Sequence, residues 1–429
     1  MTLAPVPRRR IYFATVFGHL VEWYEFSVYG FVAVHIGAAF FPGAEPMARL
    51  LATFGVFGFT FGFRPLGALF FGPLADRIGR RPVLVTVLLL MCGSTFAIGL
   101  LPGYATLGIT APVLLVVLRG LQNFSTGGEF GSVGAFMIEH APPGRRGYAT
   151  SWLMFSAVVG FVIGSLVVVS LAAALGDAAM AAWGWRIPFL VAGPLGIVGL
   201  YIRLRLEDTP EFRALADRHE VAQSPLREAL RYRREILTVA GLAGLHTTAF
   251  YLVLTFMVSY LTQTVRFGTG LALTATLAGA VAALVPMPFV SAWSDRIGRR
   301  PVLITLTAAI AVLAVPVLAV IRSSPAGAIA GQVVLGSLMG ALVSTTLVSM
   351  TEIFPARVRS AGSSFAYTIS AALIGGTAPF VSTWLIDATG SSLAPAGYLA
   401  ATALLALVAA VCFRERTVPS VKGEVHVGQ

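Results

Sequence analysis

A chain of 429 residues in which 57% are hydrophobic and only 11% charged, at a mean hydropathy of +0.83, carries more apolar surface than a water-soluble fold can hide; soluble domains hold roughly 25% charged residues. Its net charge of +11 is spread over short basic clusters between apolar runs of spanning length, which excludes a nucleic-acid-binding module, where the charge gathers on one face. Cys92 and Cys412 both fall in apolar runs, which argues against a disulfide framework or a metal site and leaves them as packing residues; neither a metal nor a cofactor is expected.

About 20 mostly apolar residues cross the hydrocarbon core of a bilayer. On that length the sequence predicts twelve spans, near 12–40, 50–73, 83–101, 111–138, 148–175, 185–203, 236–263, 271–292, 302–321, 326–351, 361–386 and 395–413. Six precede and six follow a polar stretch. The expected organisation is therefore an all-α polytopic membrane protein with an N-terminal six-helix bundle (1–203), a linker (204–235) and a C-terminal six-helix bundle (236–429). The opening MTLAPVPRRR and the apolar run after it do not read as a secretory leader, because the run is too long and contains Glu22 and Glu25.

An ionisable side chain inside a span is costly and is by default a functional residue. In span 1, Glu22 lies roughly 18 Å beyond Arg10 and Glu25 about one turn further. His19, Glu22, Phe26 and Tyr29 recur at helical spacing, as do Glu25 and Tyr29, so the helix has a polar stripe toward the bundle interior. Removing a carboxylate from water favours its protonated form, which makes this pair candidate proton carriers. The plainer alternative is permanent hydrogen bonding to neighbouring helices.

Span 2 carries Arg64, whose always-charged planar fork matches a carboxylate. Span 4 carries Arg119 and Glu129 with Gln122, Asn123 and Thr126 between them, and Gly127 and Gly128 suit close approach of a neighbouring helix. The two arginines are candidates to hold an anion, against the alternative that they pair with the glutamates as structural locks. Spans 7 to 12 hold no Asp, Glu, Lys or Arg deep within them and offer His246, Thr247, Tyr251, Thr255, Tyr367 and Ser370 instead. Charge handling is thus expected in the N-terminal half, with hydrogen bonds and shape supplied by the other.

The nonapeptide DRIGRRPVL runs from Asp76 to Leu84 and again, letter for letter, from Asp295 to Leu303. Nine identities in register, about half a chain apart, mark two halves of common descent. Gly79 and Gly298 suit a tight turn, Pro82 and Pro301 the first turn of the next helix, and Asp76 and Asp295 can accept hydrogen bonds from arginines or from a helix N-terminus. If the spans alternate, Arg8 to Arg10, both nonapeptides, Arg145, Arg146, the linker arginines, Arg357, Arg359, Arg414, Arg416 and Lys422 share one face. Only Arg49, Arg186, Arg266 and Arg322 fall on the other. The positive-inside bias then places both termini in the cytoplasm, as expected of a multi-pass protein of a bacterial inner membrane.

GPLADRIGRRPVL, with its counterpart SAWSDRIGRRPVL, resembles the signature loop of the major facilitator superfamily. VEWYEFSVYGFVA, FRPLGALFFGPLADRIGRRP, RGLQNFSTGGEFG, APPGRRGYATSW, WGWRIPF and LEDTPEF resemble its metabolite:proton symporter branch, over nearly the whole chain. The resemblance implies two six-helix bundles related by a pseudo-two-fold axis, a site between them near mid-membrane, and rocking of one bundle on the other. It also implies that Asp76, Arg77, Gly79, Arg80 and Arg81, with Asp295, Arg299 and Arg300 as the weaker counterpart, form a cytoplasmic gate, and that the span 4 stretch serves substrate and proton.

On this basis the expected function is proton-coupled import of a small organic carboxylate by a monomer. Arg119 and Arg64 would bind the anionic group, Tyr29, Gln122, Asn123, Trp152, Tyr251 and Tyr367 would line the site, and Glu22, Glu25 and Glu129 would carry or relay the proton. The nearest alternative is import of a zwitterion such as proline or glycine betaine, for which Trp23, Trp152 and the tyrosines would surround the cationic end. A drug or cation exporter would depend on the glutamates but not on Arg119. An integral-membrane enzyme would need a catalytic or metal constellation, which the sequence does not offer, and a receptor would bind without flux.

Overall fold

The computed structural model describes residues 8–43, 45–78, 80–127, 133–134, 137–138, 141–142, 144–204, 228–355 and 359–415, without the side chains of 8–15, 72–73, 75–78, 80–82, 84, 202–204 and 360. Every regular element among them is helical. Span 1 comprises Arg8–Phe31 and Ala33–Phe40, span 2 Pro46–Phe61 and Phe63–Ile78, span 3 Arg80–Leu100, span 4 Thr110–Thr126, span 5 Arg146–Ala182 and span 6 Ile187–Leu204. In the second half, span 7 comprises Arg233–Tyr251 and its continuation to Thr264, span 8 Thr269–Leu284 and Pro286–Ile297, and span 9 Arg299–Ser323. Span 10 is Pro325–Glu352, span 11 runs from Arg359–Ser370 to Ala378–Thr389, and span 12 is Ala394–Cys412.

The helices overrun the apolar stretches that announce them. Span 2 starts at Pro46, where a missing N–H costs nothing, and continues to Ile78 because backbone bonding does not stop at the membrane surface. Span 5 breaks at Gly176, whose φ of 74° leaves the helical region. By length and hydropathy, nine described helices are sufficient to cross a bilayer. Spans 1, 3 and 4 fall below that combined threshold: span 1 is diluted by its ionisable residues, and the others have short described apolar helices.

Lipid tails are as apolar as leucine, so helices in a bilayer associate through close packing and hydrogen bonds rather than hydrophobic drive. Span 5 lies along span 1 and also along spans 8 and 10, tying the two halves together. A methyl group on Gly160 would meet the backbone of Leu20 and Tyr24, and one on Gly336 or Gly340 would overlap the carbonyls of Gly279 and Ala283. These contacts require glycine because another helix backbone occupies the place of the side chain. Span 7 contains π-helical turns at Leu252–Phe256 and Tyr260–Thr264, and span 11 one at Ala371–Gly375. Such turns are costly insertions found often at functional sites, and here they flank the interface between the halves.

Candidate functional site

The deep ionisable residues converge. Glu22, Glu25, Arg64 and Arg119 are all buried, at 4%, 0%, 4% and 0% exposure, so none faces lipid. Aromatic rings enclose the two guanidinium groups. Arg64 Cζ stands 4.2 Å from the Phe61 ring centroid and 4.5 Å from that of Phe26, and Arg119 Cζ stands 4.2 Å from Tyr29 and 5.1 Å from Phe57. Phe57, Phe61 and Arg64 lie four and three residues apart, hence on one face of span 2. Ring faces are negative, so they shelter a cation where water is absent.

Arg119 does not spend its charge on a carboxylate. Its Nη1 donates to Gln122 Oε1, while Nε and Nη2 are buried without a hydrogen-bond partner. The Gln122 amide donates to Thr95 Oγ1 at 2.7 Å, and the Thr95 hydroxyl donates to Glu25 Oε2 at 2.7 Å. A continuous chain of donors therefore connects the arginine of span 4 with the glutamate of span 1 through span 3. Glu25 Oε1 has no partner, which leaves one oxygen free to hold a proton.

Arg64 is oriented by Asn123, whose Oδ1 accepts from Nε at 3.0 Å, while the Asn123 amide donates to Thr60 Oγ1 and to the Arg119 carbonyl. Arg64 Nη2 has no partner. The close approach expected at Gly127 is present: a methyl there would overlap the Arg64 carbonyl oxygen. Gly128 lies outside the described residues.

The C-terminal half closes the site with aromatic rings. Tyr251 stands 5.3 Å from Phe61 and 5.5 Å from Phe57, and Phe250 stands 4.7 Å from Trp23 and 5.0 Å from Phe161. Glu22 is near enough to Tyr251 and Tyr367 for its charge to act on both. Three residues separate Glu22 from Glu25, about 60° around a helix. That offset sends Glu22 toward the interface between the halves and Glu25 into the N-terminal bundle. Tyr251 Oη and Thr255 Oγ1, one turn apart, are buried without partners, whereas Thr247 and Ser370 bond to backbone carbonyls.

The structure thus brings together Glu22, Glu25, Arg64, Arg119, Tyr29, Gln122, Asn123, Tyr251 and Tyr367. It does not bring Trp152 to them: that ring is 38% exposed, near the start of span 5, and meets Tyr148 edge-on and Phe155 at a tilt. Glu129 lies outside the described residues. Sequence reasoning missed Thr95, the centre of the donor chain, and the phenylalanines Phe57 and Phe61. The spacing of the phenylalanines with Arg64 was a usable signal; a threonine in an apolar span gave none.

At the start of span 5, the second nonapeptide joins the halves. Asp295 Oδ1 and Oδ2 accept from the Gly147 and Tyr148 N–H groups at 2.9 Å each, which caps the N-terminus of span 5 with a charge the helix dipole favours. Arg299 Nη2 holds Asp295 at 2.6 Å, Arg299 Nε reaches Glu352 at 3.3 Å, and Arg146 Nη1 lies 3.7 Å from Glu352. Gly298 takes a φ of 97°, a conformation that suits glycine. Arg300 instead bonds within the C-terminal half, to Glu415 and the Val411 carbonyl. Of the first nonapeptide, Gly79 and the side chains of Asp76, Arg77, Arg80 and Arg81 lie outside the described residues.

The Major Facilitator Superfamily profile matches residues 12–369 and 267–429. The proline/betaine transporter of Escherichia coli K12 is 37% identical over 426 residues, covering 97% of this chain and 85% of that one. The citrate-proton symporter of Klebsiella pneumoniae is 36% identical over 93% of this chain and 90% of its own. Among solved structures, the xylose transporter XylE from E. coli in a partially occluded inward open conformation superposes with a TM-score of 0.73 at 18% identity, over 97% of this chain and 98% of that one. The chain accordingly belongs to the major facilitator superfamily, in its metabolite:proton symporter branch, and is a multi-pass membrane transporter rather than an enzyme.

Proposed function

We propose that the protein imports a small organic carboxylate together with protons, by alternating access between its N-terminal (1–203) and C-terminal (236–429) bundles about the linker 204–235. The observation that carries this reading is the arginine pair: two buried guanidinium groups, walled by aromatic faces, keep Nε and Nη2 of Arg119 and Nη2 of Arg64 without partners. Buried donors are nearly always satisfied, so a cluster of orphans beside two cations fits an anionic group that comes and goes. A carboxylate accepts such donors in bidentate fashion.

Charge balance supplies the coupling. Among the described residues the deep charges are Glu22, Glu25, Arg64 and Arg119, which cancel when both glutamates are ionised. A lone anion would leave the occluded site negative, at a cost that low dielectric makes severe. Enough protons to cancel its charge keep the site neutral. A proton on Glu25 weakens that residue's claim, through Thr95 and Gln122, on Arg119. The guanidinium then serves the substrate, so proton and solute favour the same closed form.

A zwitterion is the second reading, favoured by the Trp23, Phe161, Phe250 and Tyr251 rings, which adjoin the Phe26, Phe57 and Phe61 rings around the arginines and suit a quaternary ammonium. It would add net charge with each proton. The two readings therefore part on voltage: uptake of a charge-matched carboxylate ignores membrane potential, whereas zwitterion uptake with a proton accelerates when the inside is negative. Proteoliposomes under an imposed pH gradient, offered lactate, citrate, proline and glycine betaine with the potential clamped at two values, test both. Full accumulation by Arg119→Ala would overturn the anion site. The arginine asymmetry and the bacterial relatives support an inner-membrane location with both termini cytoplasmic, and the protein is proposed to act as a monomer.

A further inference from the structure

A cavity lies on the face opposite the second nonapeptide. It has a volume of about 200 Å³ and is lined by Val34 and Ala38 of span 1, Pro46, Arg49 and Leu50 of span 2, and Gln263 of span 7. It therefore sits where the two halves meet, and it exceeds the roughly 150 Å³ cavity that admits benzene. Arg49 and Gln263 are the polar groups in an otherwise apolar wall. Arg49 Nε is buried without a hydrogen-bond partner, and no described carboxylate forms an ion pair with this guanidinium.

The cavity stands in line with the arginine pair. Eight residues of span 2, about 12 Å of helix, separate Arg49 from Phe57, whose ring lies against Arg119. One turn below Arg49, the Thr53 carbonyl accepts from the Tyr29 hydroxyl at 3.0 Å, and the Tyr29 ring carries Arg119 on its face. Between cavity and arginines the halves touch: Gly30 of span 1 packs on Thr255 of span 7, and Gly58 of span 2 on Gly376 and Thr377 of span 11. Those contacts use glycine for close approach, so the passage shuts without a plug.

We propose that this cavity is an outer docking site for the carboxylate end of the transported solute. Arg49 takes the anionic group and Gln263 adds a hydrogen bond, before the span 1–span 7 and span 2–span 11 contacts part and pass the solute to Arg119 and Arg64. The inference rests on the carboxylate reading above and extends it to a residue at the mouth. A half-buried cation in the wall of this cavity also raises the local concentration of anions.

The test replaces Cys92 and Cys412 by alanine, introduces Ala38→Cys in the exposed wall of the cavity, and follows its modification by a membrane-impermeant thiol reagent. Lactate, citrate, proline and glycine betaine are each offered as protectant. At least one carboxylate is expected to slow labelling by about fivefold at saturation. The protection should persist in Arg119→Gln, disappear in Arg49→Gln and return in Arg49→Lys, with a cooperative thermal unfolding transition of each purified variant confirming that it folds. No protection by any solute, or protection that survives Arg49→Gln, overturns the proposal. Protection lost in Arg119→Gln also overturns it, since the cysteine would then be reporting the central site. The central site is judged separately, by whether Arg119→Gln still accumulates solute.

Discussion

Replacing Asp295 by asparagine tests how the halves are held together. The Asp295 side chain is 5% exposed and takes three bonds: the Gly147 and Tyr148 amides at 2.9 Å and Arg299 at 2.6 Å. Asparagine keeps one acceptor oxygen but turns an amide donor toward donors and removes the charge that complements the span 5 dipole. Loss of one to two charge-assisted bonds at about 1.5–3 kcal/mol each, softened by the remaining Arg146–Glu352 pair between the halves, gives about 2–4 kcal/mol. At 1.4 kcal/mol per tenfold, that is roughly a 30- to 700-fold shift toward the state open on this face. Spin labels on Arg145→Cys and Arg296→Cys, both exposed, read it by pulsed electron resonance in a background lacking Cys92 and Cys412. A longer distance is expected to dominate in Asp295→Asn. An unchanged distance distribution would refute the idea that this carboxylate holds the halves together.

Thr95→Val keeps shape but removes the hydroxyl between Gln122 and Glu25; a loss of about 1–3 kcal/mol should cut pH-driven uptake about tenfold or more while solute exchange across the membrane continues. Asn123→Gly removes the acceptor for Arg64 Nε, and KM for uptake should rise by about tenfold with a smaller change in kcat. Gly127→Ala places a methyl on the Arg64 carbonyl oxygen and against Ala68 N. Because neither backbone can yield, detergent-solubilised protein should unfold at lower temperature, by more than the roughly 1–3 kcal/mol of ordinary overpacking.

Much of this architecture was legible because membranes punish ambiguity. Spans of about 20 apolar residues, the arginine asymmetry and a duplicated nonapeptide leave few folds. Glu22, Glu25, Arg64 and Arg119 stood out because an ionisable group in oil has to be justified, and all four are buried together. Their division of labour was not legible: a 60° offset on span 1 decides which neighbour each glutamate meets, and that depends on packing. Thr95 was invisible because a buried threonine usually bonds its own helix, and here the Met91 carbonyl at 3.0 Å competes with Glu25 for its single hydroxyl hydrogen. Trp152 attracted notice as an aromatic in a span, but its position six residues into span 5 puts it near the helix end and partly in the open. Asp295 looked like the weaker copy because the residues before it depart from the signature, yet its own bonds depend only on the aspartate, the turn and the facing helix.

The claim at the centre of this account is that Glu25 couples the proton to a site it does not itself occupy. Proteoliposomes containing Glu25→Gln and the parent protein should be compared in two modes: accumulation driven by a pH gradient, and exchange of labelled for unlabelled solute without one. Glutamine mimics the protonated carboxyl, so exchange should persist near the parental rate while accumulation is lost. Undiminished pH-driven accumulation by Glu25→Gln would contradict the account.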